Sequence, residues 1–224
     1  YVVVVVGNEE IFEKEMVGFI HSLKKTSSKF LLSILIHDVE NQNIKLIHKK
    51  IKDLKVENII VKFESSKTLK LDENETKAYY TARRFILANH MMEKFSKTIF
   101  VFDADCIINK NLLDYLKLNK NIDISIYIKN SFRYFHLTIS ACQTMFNNTE
   151  NSKIFLNFYK KYIYYILNYK KIRWHIDQIV LYIAFIMTKR FYNAKIISNL
   201  NKNNHQQKDS FFYHTLHNRY KLRD

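Results

Sequence analysis

The sequence predicts an α/β domain with a central, mostly parallel sheet flanked by helices. Two observations carry this. Apolar β-branched runs alternate with stretches of helical period over the first 105 residues, giving four strands and three helices. The fourth strand, Ile99 to Phe102, runs directly into Asp103-Ala104-Asp105. Ligands of such sheets lie at the carboxyl ends of the strands, so these carboxylates fall where a site belongs.

Taken in order, Val2 to Val6 is a continuous β-branched run, read as a central strand buried on both faces. Gly7-Asn8 breaks it. Glu9 to Lys25 then places Ile11, Phe12, Met16, Phe19, Ile20 and Leu23 close to helical period. Acidic residues crowd its first turn and Lys24-Lys25 its last, as the helix dipole prefers. Phe30 to Ile36 is a second strand, ending in His37-Asp38. A helix follows over about Asn41 to Leu54, then a third strand at Glu57 to Lys62 and a loop with Glu64-Ser65-Ser66. Thr76 to Phe95 reads as a long amphipathic helix leading to the fourth strand.

The second half is less regular. It offers a short helix at Leu112 to Leu118 and strands at Ile122 to Ile128 and Tyr134 to Ser140. An aromatic-rich helix spans Ser152 to Asn168, and a very apolar one spans Ile176 to Met187. Ala194 to Ser198 is a last strand, and the remainder to Asp224 is polar and aromatic. No composition shift divides the chain, so 224 residues read as one domain. The opening Tyr1-Val2, without an initiator Met, reads as a strand cut from a longer protein.

Two cysteines, Cys106 and Cys142, cannot make a disulfide framework, and a reducing, cytoplasmic setting is the simpler expectation. The longest apolar run, Ile179 to Met187, is too short to cross a bilayer. The net charge of +15 must be weighed against 2 Gly, 0 Pro and an excess of Lys, Asn, Ile, Tyr and Phe. That is the bias of an AT-rich coding sequence, which raises Lys whatever the function. A basic surface favours nucleotide diphosphates and acidic lipid head groups, and no nucleic-acid partner is expected.

Two carboxylates at the end of a buried strand repel each other unless a cation sits between them. Hard divalent ions such as Mg²⁺ and Mn²⁺ take oxygen ligands and are commonly shared with substrate phosphates. Asp103-Ala104-Asp105 resembles the Asp-X-Asp motif of nucleotide-sugar glycosyltransferases with the GT-A fold, and is similar to that of bacterial polysaccharide and lipooligosaccharide enzymes. Phosphatases of the haloacid-dehalogenase type also carry Asp-X-Asp, but after their first strand and followed by a Thr; here it follows the fourth strand and continues Cys106-Ile107-Ile108.

Three further patterns join the resemblance. Arg83 and Arg84 lie in Tyr79-Tyr-Thr-Ala-Arg-Arg, on the helix before the motif strand, where the family carries an Arg that contacts the donor or pairs with the first Asp. Arg83 is the expected one. Asp177-Gln178, after Trp174-His175-Ile176, resembles the sugar- or acceptor-binding signature and implies catalytic roles for both. His214, in Phe211-Phe-Tyr-His-Thr-Leu-His-Asn-Arg219, resembles a third metal ligand near the chain end, with Arg219 placed to neutralise the leaving diphosphate.

The resemblance thus implies a metal site of Asp103, Asp105 and His214 for Mn²⁺ or Mg²⁺. It implies donor contacts from Gly7, Asn8, Asp38, Arg83, Asp103 and Arg219. Residues 1–105 would form the nucleotide-binding half and 106–224 the mixed acceptor-side half. The implied activity is metal-dependent transfer of a sugar from a nucleotide-diphosphate donor, a UDP-sugar foremost, to a hydroxyl acceptor. That acceptor would be a glycan or lipid-linked, in glycan or cell-surface polysaccharide synthesis. The Tyr- and Lys-rich stretch Phe155 to Lys171 leaves open a peripheral contact with the inner face of a membrane. Ser140-Ala141-Cys142-Gln143 would line the sugar, with Cys142 where Gly is common. Two other classes stay open: a metal-dependent nucleotidyltransferase, which lacks its Gly- and Lys-rich loop here, and a non-catalytic basic module for nucleic acid or anionic membrane.

Overall fold

The computed structural model describes residues 1–128, 138–169, 175–199 and 210–214, and of the side chains at 169, 213 and 214 nothing is described. The described strands β1 (Val2–Asn8), β2 (Leu31–His37), β3 (Ile59–Glu64), β4 (Ile99–Phe102), β6 (Ile124–Ile128), β7 (Ile139–Phe146) and β8 (Ile196–Ser198) form one sheet. Its order is β3-β2-β1-β4-β7-β6-β8. The pairings among β3, β2, β1 and β4 are all parallel, β7 runs antiparallel to both its neighbours, and β6 and β8 pair parallel. The first four strands are therefore parallel and the rest of the sheet is mixed.

β1 shows how the sequence makes this sheet. Val2, Val4 and Val6 pack on one face and Val3 and Val5 on the other, as the two-residue strand period requires. Burying each valine stabilises the fold by ~1.5–3 kcal/mol relative to leaving it in water. One face is covered by α4 (Glu73–Phe95), α6 (Glu150–Tyr169) and α7 (Ile176–Tyr192). The other is covered by α2 (Val17–Thr26), α3 (Asn41–Asp53) and α5 (Leu112–Leu118).

The first helix begins with one turn, α1 (Glu9–Ile11), and widens into a π turn at Phe12–Met16, where Val17 N–H donates to Phe12 O, before continuing as α2. Such turns are uncommon and recur at functional sites. α4 starts three residues before Thr76. Asp72 accepts from Glu75 N–H while the Glu75 carboxylate accepts from Asp72 N–H, a capping box legible in Asp72-Glu-Asn-Glu75.

Three elements depart from the sequence expectation. The strand read at Tyr134 to Ser140 is β7, at Ile139–Phe146, so Ser140 to Gln143 lie inside a strand rather than after one. Residues 134–137 lie outside the described residues. A second small sheet pairs β5 (Cys106–Ile108) with β9 (Phe212–His214), joining the motif to the far end of the chain. Asp103 and Asp105 are not strand residues but flank a turn between β4 and β5, closed by Cys106 N–H donating to Asp103 O at 3.2 Å.

Candidate active site

A cavity of about 440 Å³ opens at the carboxyl ends of β1 and β4. β4 stops at Phe102 while its antiparallel neighbour β7 extends past it. Asp103 N–H donates to Cys142 O at 2.9 Å, which brings Ser140, Ala141 and Cys142 beside the turn. Ile11 and Glu15, at either end of the π turn, form the wall next to Val6. Tyr80, Thr81 and Arg84 enter from α4, and His175, Asp177 and Gln178 from the head of α7.

Arg84 ties these walls together. It is 4 % exposed; Nη2 donates to Asp177 Oδ2 at 3.2 Å, Nη1 pairs with Asp103, and Nε donates to Thr81 O at 3.1 Å. Asp177 is itself buried. A guanidinium suits this because its planar fork serves two carboxylates at once. The cavity lining holds four carboxylates, Glu15, Asp103, Asp105 and Asp177, against the two cations Arg84 and Lys77, so a net negative charge remains. That balance fits a divalent cation.

Among the described residues no group of three His, Cys, Asp or Glu side chains is arranged to hold a metal ion. The third ligand suggested by the resemblance, His214, has a described backbone only. The β5–β9 register sets it opposite Cys106, next in sequence to Asp105. The two carboxylates on the turn are oxygen donors of the kind that Mn²⁺ or Mg²⁺ takes. Trp174 and Arg219 lie outside the described residues.

The structure brings Asp103, Asp105, Asp177 and Gln178 to one cavity and sends other candidates elsewhere. Arg83, one residue before Arg84, points instead at Glu64, whose carboxylate accepts from Nε at 2.8 Å and from Nη2. The expectation for Arg83 is corrected accordingly: Arg84 is the cavity arginine. One residue turns a side chain by about 100° around a helix, and the sequence did not show which residue faced the sheet.

Asn8 and Gly7 also have other work. Asn8 Oδ1 accepts from Ile11 N–H at 2.9 Å and caps the first helix. A Cβ at Gly7 would lie 2.8 Å from Ile11 Cγ2, so the glycine lets that helix close on β1. Neither residue lines the cavity. Asp38 is likewise committed to a strap: its carboxylate accepts from Ser65 Oγ at 3.1 Å, Ser66 N at 2.7 Å, Ser66 Oγ at 2.5 Å and Tyr80 OH. Burial works against ionisation here, but the hydrogen bonds from Ser66, Tyr80 and Ser65 prevail and hold its pKa at about 2. Asp38 therefore acts on the cavity through Tyr80, which lines it.

His37 lies behind that strap, fully buried and stacked on Tyr80 at 4.4 Å between centroids. Burial, with Arg83 nearby, lowers its pKa to about 4. On the other side of the site, burial pushes the Cys106 thiol well up, so it packs as an apolar group. Glu15 and Lys77 at the cavity wall were missed by the sequence reading. The clue for Glu15 would have been its position in the helix after β1.

No protein-family model matches the chain, and no curated protein matches it by sequence. Solved structures do. Mouse xyloside xylosyltransferase 1 in its apo form aligns with a TM-score of 0.55 at 12 % identity, over 97 % of this chain and 99 % of that one. The glycosyltransferase GlyE of Streptococcus pneumoniae aligns with 0.59 at 13 %, over 96 % of this chain and 54 % of its own. The galactosyltransferase LgtC, in complex with donor and acceptor sugar analogues, aligns with 0.60 at 11 %, over 96 % and 86 %. The chain has the fold of these glycosyltransferases, the GT-A fold.

Proposed function

We propose that the chain is a metal-dependent glycosyltransferase, moving a sugar from a nucleotide-diphosphate donor, a UDP-sugar foremost, to a hydroxyl on a glycan or lipid-linked acceptor. The observation that carries this is the Arg84 link: it joins the Asp103 turn and the Asp177 helix head into one cavity on a GT-A sheet. LgtC, solved with donor and acceptor sugar analogues, supports a nucleotide-sugar donor by likeness of fold.

In this reading Asp105, Asp103 and His214 hold Mn²⁺ or Mg²⁺. When bound, the ion supplies positive charge against the diphosphate as the glycosidic bond to phosphate breaks. Arg84 fixes the rotamers of Asp103 and Asp177, so both are in place before the donor arrives. Asp177 and Gln178 hydrogen-bond the sugar hydroxyls at the α7 wall, and the Asp177 carboxylate would take the proton of the acceptor hydroxyl as general base. Ser140 to Cys142 form the floor beneath the sugar, with the Cys142 side chain narrowing it relative to a glycine. Tyr80 and Ile11 line the nucleoside end. In this reading the product belongs to glycan or cell-surface polysaccharide synthesis.

The test is a thermal-shift panel of UDP, GDP and ADP with and without Mn²⁺, followed by assay of UDP release from UDP-sugars. One nucleotide diphosphate should raise the melting temperature only with Mn²⁺ present, and Asp105→Ala should abolish the shift. Failure of every diphosphate in the presence of Mn²⁺ would remove the reading.

A further inference from the structure

α7 is apolar on two sides. Its inward residues, Val180, Leu181, Ala184, Phe185 and Thr188 with Asp177, are buried. The opposite stripe, at helical spacing, is Ile179, Tyr182, Ile183, Ile186 and Arg190, and every one of these is partly or fully exposed. Ile186 is 39 % exposed, and at the end of the helix Phe191 reaches 62 %. The antiparallel partner α6 adds to the same surface: the Phe158 and Tyr192 rings meet at 5.9 Å, and Tyr162 and Tyr165, one and two turns on from Phe158, are exposed. A water-facing helix normally carries polar residues on this side. A contiguous exposed apolar surface of this kind marks an interaction site.

The charge distribution says with what. The stretch 151–195 holds nine of the 36 Lys and Arg residues and one of the 21 acids. That acid is Asp177, buried against Arg84. Outside this stretch basic and acidic residues are nearer balance, so a general excess of Lys does not explain it. On the exposed side, Lys161 flanks the tyrosines, while Lys189 and Arg190 flank Ile186 and Phe191. The exposed carboxylates near it, Glu150 at the start of α6 and Glu93 of α4, pair with Lys153 and Lys160. Aromatic and aliphatic side chains interleaved with cations are what an anionic bilayer surface takes up: the rings enter the headgroup region and the cations meet phosphates.

We propose that the outward face of α6 and α7 docks the protein on an anionic phospholipid membrane. The stripe begins at Ile179, directly after Gln178 in the cavity wall, so the docked surface runs from the cavity to the far end of α7. The binding itself does not depend on the transferase reading. A lipid-borne acceptor at this wall is the consequence if that reading holds.

The experiment is co-sedimentation of the full chain with phosphatidylcholine vesicles, with and without phosphatidylglycerol, at low and high salt. Binding should require the anionic lipid and weaken with salt. Ile186→Ser with Phe191→Ser, and separately Lys189→Gln with Arg190→Gln, should each lower vesicle affinity about tenfold. Melting temperature and Mn²⁺-dependent nucleotide shift should stay as in the parent, and the latter reports separately on the transferase reading. Three results would overturn the proposal. One is equal vesicle binding by parent and variants. Another is a concentration-dependent dimer that the variants abolish, which would assign the face to a second copy. The third is a clear drop in melting temperature in the serine variant, which would mean the chain's own segments cover the face.

Discussion

Arg84 and Asp177, 93 residues apart in the chain, form a buried ion pair at 3.2 Å that spans the candidate site. Arg84 reaches Asp103 with its other terminal nitrogen, so one side chain holds the ends of both halves of the fold. Removing it leaves two carboxylates facing each other without a cation. Arg84→Ala should cost about 3–5 kcal/mol of stability. Arg83→Ala, which breaks a half-buried pair with Glu64 at the sheet edge, should cost about 1 kcal/mol. Urea denaturation of the two variants measures the difference, and equal losses would show that the Arg84 link is not what joins the halves.

The Asp38 strap separates a structural role from a binding one. Asp38 sits at φ 53°, in the left-handed region, and its carboxylate gathers Ser65, Ser66 and Tyr80. Asp38→Ala strains the backbone and strands these donors, for a loss of about 3 kcal/mol. Nucleotide affinity at temperatures where the variant is folded should fall by less than about tenfold, since Asp38 acts only through Tyr80. A stable variant that fails to bind nucleotide would return Asp38 to the donor-contacting role first expected of it.

His37 should make stability fall in mild acid. Its folded pKa of about 4 lies below the ~6.5 of an unfolded histidine. Between those values the unfolded chain takes up a proton that the folded chain refuses. Stability from this group is therefore complete above pH 6.5 and is lost as pH falls toward 4. From pH 7 to 4.5 the loss is about 2 kcal/mol. The groups facing His37 are Tyr79, Tyr80, Arg83, Asp38 and the Glu64 carboxylate at 3.6 Å. Asp38, held at about 2, titrates only in stronger acid, so the two windows separate. Denaturation of His37→Phe at both pH values should show the smaller acid loss, because Phe keeps the stack on Tyr80 without the proton.

The first half of the fold was legible because its information is local. β1 to β4 are short apolar runs bounded by breakers, and the helices between them carry their own period. The aspartate turn could be located because it follows such a run. β7 resisted for a physical reason: Ser-Ala-Cys-Gln-Thr inside it has no alternation, since the strand is covered on both faces. The β5–β9 pair joins residues more than a hundred positions apart, and no local pattern announces it. Arg84 and Glu15 were hidden because facing is decided by tertiary packing, which composition and spacing do not carry. The Asp72 capping box, by contrast, was present in the sequence and went unread.

Gly7 offers the sharpest test of how closely the first helix must approach β1. Its backbone is not in the left-handed region, so what the position needs is space rather than conformational freedom. A Cβ there would meet Ile11 Cγ2 at 2.8 Å, Ile11 Cβ at 3.1 Å and Met16 Cε at 3.2 Å. Met16 can swing its terminal methyl away, but Ile11 is β-branched and fixed by the helix start that Asn8 caps. Gly7→Ala should therefore cost about 1–3 kcal/mol and press Ile11 into the cavity it lines. Ile11→Leu removes the Cγ2 methyl, so the double variant should recover a measurable part of that loss. A double-mutant cycle by chemical denaturation gives the coupling. If the two losses simply add, the contact between Gly7 and Ile11 is not what positions the helix, and the wall at Ile11 and Glu15 must be held from elsewhere.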